Sequence, residues 1–399
     1  MVGISNVFRA PYHPRAVKSV LLIAPSKRDL AAAAGARYRV SGVGDDLDEA
    51  PDLDPRRLVA EAEQFVTDGV VGTKDRSALL AALVAERLGL AGPSPAAVLR
   101  CQHKFTSRLV QQRAVPEAVP RFELLEGRPS LAPPFVVKPV VSRLSHGTRV
   151  LERLDELPSP DERSAYAASF EAMAALAAAP QSFAGYVVEE LVEGSEVTYE
   201  GYVRGGAVTT IGVTDSVFYP GTGSFERFEY PSRLPAERWD ELSSVADRLV
   251  EAIGFDTGFF NVEFRVPDEG PAKIVEINAR IASQFAPLVE ALHGRSTYDA
   301  LFALACGDDP AWESRPPGGV AISYVMRVFE DAFVEAVPEP EDGLELLVRP
   351  GRRLSEQGVN DAASYRLAIF TEAAETRDEA LERCRRRAAA LEFRLTEAR

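Results

Sequence analysis

Two segments with alternating side chains flank a short turn and carry acidic and amide residues. The first runs from residue 261 to 265, the second from 274 to 280, and Pro-Asp-Glu-Gly-Pro lies between them. Alternation of this kind around turn residues predicts a β-hairpin. If the pairing is centred on the turn at 269 and 270, Glu263 lies directly opposite Glu276.

The facing carboxylates indicate a cation. Like charges directly opposite each other on neighbouring strands are destabilising, and Asn278 projects to the same face as Glu276 because side chains alternate along a strand. Two carboxylates and an amide are oxygen ligands that suit Mg²⁺ with bound waters and phosphates. The alternative is an exposed strand face that merely happens to be acidic.

A lysine and a polar loop precede the hairpin. Lys138 interrupts the apolar run 135–141, and a buried lysine needs a partner, for which a nucleotide phosphate is suitable. The loop 142–148, Ser-Arg-Leu-Ser-His-Gly-Thr, could cover phosphates with its backbone N–H groups. An ordinary polar loop between strands, with His146 at the surface, is the competing interpretation.

Residues 186–196 form an apolar strand, an acidic stretch and a glycine turn that leads into a second strand. An extended segment of this kind can offer backbone groups to adenine, and Glu196 can bind ribose hydroxyls. A hairpin with a charged turn is the alternative. The sequence has no GxxxxGK[ST], GxSxG, HExxH or kinase-type motif, which excludes several other routes to phosphate chemistry and hydrolysis.

Net charge and cysteine content limit the partners and the compartment expected for this protein. The net charge of −15 argues against a nucleic-acid partner, since phosphate binding needs a basic surface. Three scattered cysteines without CxxC spacing predict neither disulfides nor a zinc site and favour a reducing cytoplasm. The apolar run 20–24 is too short for a signal peptide or a membrane span, so no membrane association is expected.

Periodicity predicts alternating strands and helices. We expect strands at 19–26, 135–139, 320–329 and 365–370, a strand-rich stretch at 186–203, and a surface loop at 45–54. Helices are expected at 79–88, 98–113, 164–178, 239–253, 287–305 and 376–391. The 399 residues exceed one ordinary core. The predicted units are an N-terminal α/β domain at 1–98, a central domain at 99–310 and a C-terminal α+β unit at 311–399.

Taken in order, Lys104, Lys138, the polar loop, the acidic hinge and the hairpin up to Arg280 resemble the ATP-grasp superfamily. More narrowly, the chain is similar to carboxylate–amine ligases related to bacterial L-amino-acid ligases. The resemblance covers about residues 19 to 390. It implies an ATP-grasp fold of mixed α/β and α+β class: a parallel N-terminal domain, and a central domain split into a lid subdomain at about 130–190 and a larger antiparallel sheet.

The resemblance also implies a nucleotide site. The residues expected to contact ATP are Lys104, Val136, Lys138, Ser145, His146, Gly147, Glu189, Glu190, Val192, Glu196 and Val275. Within this set the lysines would contact phosphates, Ser145 to Gly147 would lie in a mobile loop, and the valines at 136 and 275 would line the adenine slot. Glu189 and the backbone at 190 and 192 would hold adenine.

For the metal and the reaction, the implied ligands are Glu263, Glu276 and Asn278, binding two Mg²⁺ ions, with Mn²⁺ as an alternative. Arg280, with Lys138, would be catalytic by stabilising an acyl phosphate and the tetrahedral intermediate. Candidate substrate residues are Arg280, Ser283 and Glu229.

The expected reaction joins a carboxylate to an amine, both amino acids, with release of ADP and phosphate. Activation of bicarbonate or another small acid, and a non-catalytic ATP-binding regulator, are the alternatives. His103 and Ala279 depart from the residues common in relatives, which leaves the acceptor pocket undefined. The partners are therefore small molecules, and a homodimer is a further possibility that relatives suggest.

Overall fold

The computed structural model describes residues 17–47, 54–143, 146–159, 162, 164–179, 181–313, 318–357 and 364–397. The helices are α1 (Lys27–Ala34), α2 (Pro55–Ala62), α3 (Asp75–Leu88), α4 (Pro95–Gln102), α5 (Lys104–Ala114), α6 (Ala165–Leu176), α7 (Ala236–Ile253), α8 (Ala286–His293), α9 (Thr297–Ala305) and α10 (Arg377–Ala390).

The strands are β1 (Ser19–Ile23), β2 (Arg39–Val43), β3 (Gly69–Val71), β4 (Phe122–Leu124), β5 (Phe135–Pro139), β6 (Arg149–Leu151), β7 (Tyr186–Glu190), β8 (Ser195–Arg204), β9 (Ala207–Phe218), β10 (Phe225–Tyr230), β11 (Thr257–Val266), β12 (Lys273–Asn278), β13 (Val320–Val328), β14 (Phe333–Ala336), β15 (Leu344–Leu346), β16 (Tyr365–Ala374) and β17 (Arg394–Thr396).

The N-terminal region forms a parallel sheet, as the sequence predicts. Its strand order is β2-β1-β3, and the whole apolar run of β1 is buried. Helix α3 packs on this sheet and ends at Gly89, whose φ of +65° is a left-handed conformation that glycine adopts without strain. The parallel α/β prediction is confirmed.

An antiparallel sheet dominates the rest of the chain. Its strand order is β12-β11-β8-β9-β10-β13-β16-β15. Helix α7 covers one face, which we call the back face; it packs against β8 and β9, and its apolar stripe shares a core with their back-face side chains. The strands β13, β15 and β16 follow residue 310 yet pair within this sheet, so the C-terminal unit shares its framework with the central one.

A smaller antiparallel sheet corresponds to the predicted lid. Its order is β4-β7-β5-β6, and one of its faces is closed by a separate core that includes Phe135, Val137 and Val188. Helix α6, which belongs to the same segment, lies against α2 and α3 of the N-terminal region. The lid therefore touches the N-terminal region as well as the large sheet.

Two predicted helices are each divided in two. The helix predicted at 98–113 is interrupted at His103, whose extended backbone (φ −85°, ψ 98°) ends α4 and caps α5. The helix predicted at 287–305 is interrupted at Gly294, which takes φ +65°. The apolar spacing continues across both positions, so periodicity alone predicts one uninterrupted helix in each case. Of the loop predicted at 45–54, residues 48–53 lie outside the described ranges.

Within the part of the chain that the structure describes, none of the helices is both long enough and apolar enough to cross a lipid bilayer.

Core packing behind the large sheet is tested by Leu249→Ala in α7. Leu249 is fully buried, and removing such a side chain leaves a cavity, so we expect a loss of about 2–5 kcal/mol in the free energy of unfolding, measured by urea denaturation. Leu30→Ala is the matched control because Leu30 is a helical leucine that is 51% exposed. A loss for Leu30→Ala equal to that for Leu249→Ala would contradict the assignment of this core.

Candidate active site

The hairpin of β11 and β12 has the predicted register. Glu263 pairs with Glu276, and Asn261 pairs with Asn278. The register shifts between Glu263 and the next residue, so Val275 is an extra residue in β12 and forms a β-bulge. The carboxylates lie on the front face of the large sheet, opposite the face that α7 covers.

A chain of amide groups orders the end of this hairpin. Asn278 donates its Nδ2 hydrogens to Asn261 Oδ1 at 3.0 Å and to Glu263 Oε1 at 3.3 Å. Asn261 in turn donates to the carbonyl oxygen of Arg280 at 3.0 Å. These bonds fix the donors of Asn278, which leaves its Oδ1 on the side of the Arg280 guanidinium, 3.3 Å from Nη2.

The two opposed glutamates differ in their electrostatics. Burial and the charges of Glu276 and Glu196 raise the pKa of Glu263 well above its usual range. Burial also opposes ionisation of Glu276, but Lys104 and Lys138 outweigh it and lower the pKa of Glu276. Without further positive charge, therefore, only one of the two carboxylates is stabilised as an anion.

This donor set fits Mg²⁺. Two carboxylates and an amide oxygen are hard ligands, and a divalent cation would stabilise both carboxylates as anions. Among the described residues no group of three or more His, Cys, Asp or Glu side chains could hold a metal ion. The set therefore requires the Asn278 amide, or oxygens from a bound phosphate, to complete it.

Two lysines approach the hairpin from different elements. Lys104 begins α5, and its Nζ lies 3.2 Å from Glu276 Oε2. Lys138 on β5 of the lid places its Nζ 2.9 Å from Glu189 Oε2 and 3.4 Å from the carbonyl oxygen of Val275. The structure thus brings both predicted phosphate-binding lysines to the hairpin that carries the predicted metal ligands.

Sequence reasoning missed Arg108, which organises this region. Its guanidinium donates to both carboxylate oxygens of Glu189, at 2.7 and 3.0 Å, and to the carbonyl oxygen of Val275 at 2.8 Å. Burial disfavours charge on Glu189, but Arg108 and Lys138 outweigh it and lower the pKa of Glu189 to about 2. The sequence could have indicated Arg108 by its spacing, since it follows Lys104 by one helical turn and so lies on the same face of the helix.

The predicted adenine hinge is only partly available to a nucleotide. The Glu189 carboxylate is occupied by Arg108 and Lys138, and the Glu190 N–H donates to the carbonyl oxygen of Arg121 at 2.9 Å. Val136 pairs with Glu189 across the lid sheet and is half-buried. The remaining members of this set, Val192 and Val275, are also half-buried, and the Val275 carbonyl oxygen accepts from Arg108.

Glu196, the predicted ribose ligand, lies on the front face of β8 and is buried. It forms an ion pair with Arg265 at 2.7 Å. Burial, reinforced by the charge of Glu276, raises the pKa of Glu196 even though Arg265 and Lys138 act in the opposite direction. Its position next to the hairpin agrees with a place in the same site.

The described residues of the predicted covering loop lie between β5 and β6 of the lid. His146 and Gly147 are exposed, and Gly147 has φ +75°. A Cβ at Gly147 would come within 2.8 Å of the Pro139 ring, so both conformation and space favour glycine there. Ser145, the third predicted member, lies outside the described residues.

Two predicted substrate residues have different positions. Ser283 is half-buried in the segment that follows Arg280. Glu229 is not brought into the site, since it lies on the back face. Its fully buried carboxylate pairs with Arg227 at 2.7 Å, with Arg233 at 2.8 Å and with Arg377. Strand parity explains this position, because neighbouring residues on β10 point to opposite faces.

Fold and site define the class of protein. Residues 131–287 match the family model of the ATP-grasp domain, so the chain contains an ATP-grasp domain. The domain carries the lid, the hinge and the hairpin, and the predicted resemblance to ATP-grasp proteins is confirmed.

Two of the proteins to which this chain is similar are a carnosine synthase and an L-amino acid ligase. Carnosine synthase 1 of Gallus gallus is 30% identical over 282 residues, which cover 65% of this chain and 29% of the relative. The crystal structure of an L-amino acid ligase from Bacillus licheniformis is 19% identical with a TM-score of 0.73, covering 94% of this chain and 98% of that one.

A 2-oxoglutarate carboxylase biotin carboxylase domain of Hydrogenobacter thermophilus, in complex with MgADP, ADP and bicarbonate, is 14% identical with a TM-score of 0.71, covering 96% of this chain and 92% of that one. The structural likenesses establish the ATP-grasp fold. The chain spans between 29% and 65% of the length of the curated relatives it matches.

The buried Glu189 cluster predicts acid sensitivity. The pKa of Glu189 is about 2 in the folded protein against an ordinary 4.5, so the stabilisation is present above about pH 4.5 and is lost as the pH falls towards 2. The difference corresponds to about 3 kcal/mol. Urea denaturation from about pH 6 down to about pH 3 should show a weaker decline in unfolding free energy for Glu189→Gln than for the wild type. The exposed turn variant Glu269→Gln should keep the wild-type decline.

The back-face position of Glu229 predicts a purely structural role. Glu229→Gln weakens three arginine contacts at a fully buried carboxylate, so we expect a loss of about 1–3 kcal/mol in the free energy of unfolding. The affinity for MgADP, measured by calorimetry, should be unchanged. A large loss of nucleotide affinity without a loss of stability would contradict this assignment.

Proposed function

We propose that this protein is an ATP-dependent carboxylate–amine ligase that activates an amino acid as an acyl phosphate and joins it to a second amino acid, releasing ADP and phosphate. The observation that carries the proposal is the hairpin itself. Two opposed glutamates and Asn278 are flanked by Lys104 on one side and by Arg280 on the other.

The proposed chemistry needs charge neutralisation and positioning. A carboxylate is a poor electrophile, and transfer of a phosphoryl group to it is promoted mainly by cations that surround the phosphate oxygens. Lys104 and Lys138 supply such charge from α5 and from the lid. Two Mg²⁺ ions, held by Glu263, Glu276 and Asn278, would neutralise further phosphate charge when bound.

Arg280 is the residue we assign to the acyl group. It follows Asn278 by two positions, and its guanidinium lies beside the Asn278 amide oxygen. A planar fork of donors matches the oxygens of a carboxylate or an acyl phosphate. Arg280 would therefore orient the acid and stabilise the negative charge that develops when the amine attacks.

Exclusion of water is the remaining requirement, because an acyl phosphate hydrolyses readily. The loop that contains His146 and Gly147 lies at the edge of the lid that carries Lys138. We assign the covering role to this loop. Closure of such a segment over bound reactants removes water and strengthens the electrostatic contacts within the site.

The choice of amino acids as substrates is supported by the relatives, which include a carnosine synthase and an L-amino acid ligase. We propose small-molecule partners only. The three free cysteines, two of them buried, support a place in the cytoplasm, where thiols stay reduced.

The central test is Glu276→Ala, assayed by ADP release with Mg²⁺ and mixtures of amino acids. Loss of one metal-binding carboxylate should reduce turnover by about 100-fold or more. Glu269→Ala, on the exposed turn of the same hairpin, is the matched control and should keep wild-type turnover. Unchanged turnover in Glu276→Ala would refute the proposal.

The substrates are tested by phosphate release with amino acids singly and in pairs, with bicarbonate as a separate arm. Release that requires two amino acids, with a dipeptide detected by mass spectrometry, supports the proposal. Release stimulated by bicarbonate alone would identify a different acid. ATP binding without release in any arm would indicate a non-catalytic regulator.

A further inference from the structure

An ion pair links the N-terminal region to the proposed acyl-binding arginine. Asp75 is the first residue of α3, and its Oδ1 accepts a hydrogen bond from Arg280 Nε at 2.5 Å. The two residues are 205 positions apart in the chain. Their side chains are only 16% and 24% exposed, respectively, so solvent weakens this contact less than it weakens a surface ion pair.

The contact determines how the guanidinium is oriented. Because the guanidinium is planar, the direction of the Nε–H bond together with that of the Cδ–Nε bond sets the plane in which both Nη groups lie. Nη2 then lies 3.3 Å from Asn278 Oδ1, on the side of the metal-ligand set. Asp75 therefore occupies the Nε edge of the guanidinium, while Nη1 lies 3.5 Å from the carbonyl oxygen of Ile281 and Nη2 lies beside the Asn278 amide.

The backbone on either side of Arg280 is held by a different part of the protein. The Arg280 carbonyl oxygen accepts from Asn261, and the Ala282 N–H donates to Glu200 Oε1 at 2.7 Å. Asn261 and Glu200 belong to neighbouring strands of the large sheet. The sheet thus fixes the backbone, whereas Asp75 of the N-terminal region fixes the side chain.

Asp75 is itself held in place. Its carbonyl oxygen accepts a hydrogen bond from Gln102 Nε2 at 2.5 Å. Gln102 lies two residues before Lys104, so the segment that holds Asp75 also leads into the helix that presents the first lysine. The position of the carboxylate is therefore tied to α4 as well as to α3.

We propose that Asp75 is a positioning residue for Arg280, so that the N-terminal α/β region completes the active site. This inference rests on the proposed function, in which Arg280 binds the acyl phosphate. In the part of the chain that the structure describes, Asp75 forms no hydrogen bond or ion pair with Lys104 or Lys138. We therefore expect its loss to affect the acyl group and to leave nucleotide binding intact.

The test compares Asp75→Ala with Asp308→Ala. Asp308 pairs with Lys18 at 2.7 Å, so its removal breaks another ion pair of the N-terminal region, away from Arg280. We expect kcat to fall by about 10- to 100-fold in Asp75→Ala because a small misplacement of a catalytic group has an effect of that size. The KM for ATP should stay within about twofold of wild type, as should both constants of Asp308→Ala.

A double-mutant cycle tests whether Asp75 acts through Arg280. In the Arg280→Lys background, Asp75→Ala should reduce kcat by less than about twofold, since residues that act as one unit are not additive. Full additivity would overturn the proposal, as would wild-type kcat in Asp75→Ala.

A binding assay without a carboxylate substrate tests the role of Asp75 independently of the proposed ligase reaction. Orthovanadate added with MgADP presents an oxyanion next to Arg280, and its extra thermal stabilisation should be lost in Asp75→Ala while stabilisation by MgADP alone persists. If the wild type shows no turnover but this loss occurs, the proposed function fails and the positioning of Arg280 stands. Equal vanadate effects in wild type and Asp75→Ala, or no vanadate effect in the wild type, would overturn the Asp75 proposal.

Discussion

The repulsion between Glu263 and Glu276 is the constraint on which the rest of the site depends. The register of the hairpin places the two carboxylates opposite each other, and the large sheet and α7 fix that register from behind. Moving the strands by one residue would send the apolar back-face side chains to the front. The protein therefore keeps the repulsion and surrounds it with positive charge. Lys104 and Arg280 share that task, and a bound divalent cation would add to it.

The surrounding cations are themselves held by acidic partners. Arg108 and Lys138 converge on Glu189, Arg280 meets Asp75, and Arg265 meets Glu196. Each pair joins different elements, so the charges that prepare the site also fix the lid, the N-terminal region and the large sheet relative to one another. Removing one partner from a buried pair is costly because the other charge stays buried. The site and the architecture are thus maintained by the same interactions.

Sequence patterns predicted the hairpin, its register and the lysines because these depend on local alternation and on charge in apolar runs. They failed at His103 and Gly294, where apolar spacing continues through a break in the helix. They also suggested Glu229 as a substrate residue, although the alternation of side chains along β10 directs Glu229 to the back face of the large sheet. Asp75 and Arg108 were missed because their partners lie 205 and 81 residues away. Pairings over such distances leave no local pattern to recognise.

The bulge at Val275 makes one backbone carbonyl a junction between three parts of the protein. Its oxygen accepts hydrogen bonds from Arg108 of α5 and from Lys138 of the lid, and Arg108 also donates to Glu189 of the lid strand β7. The hairpin, α5 and the lid are therefore joined at a single peptide group of β12.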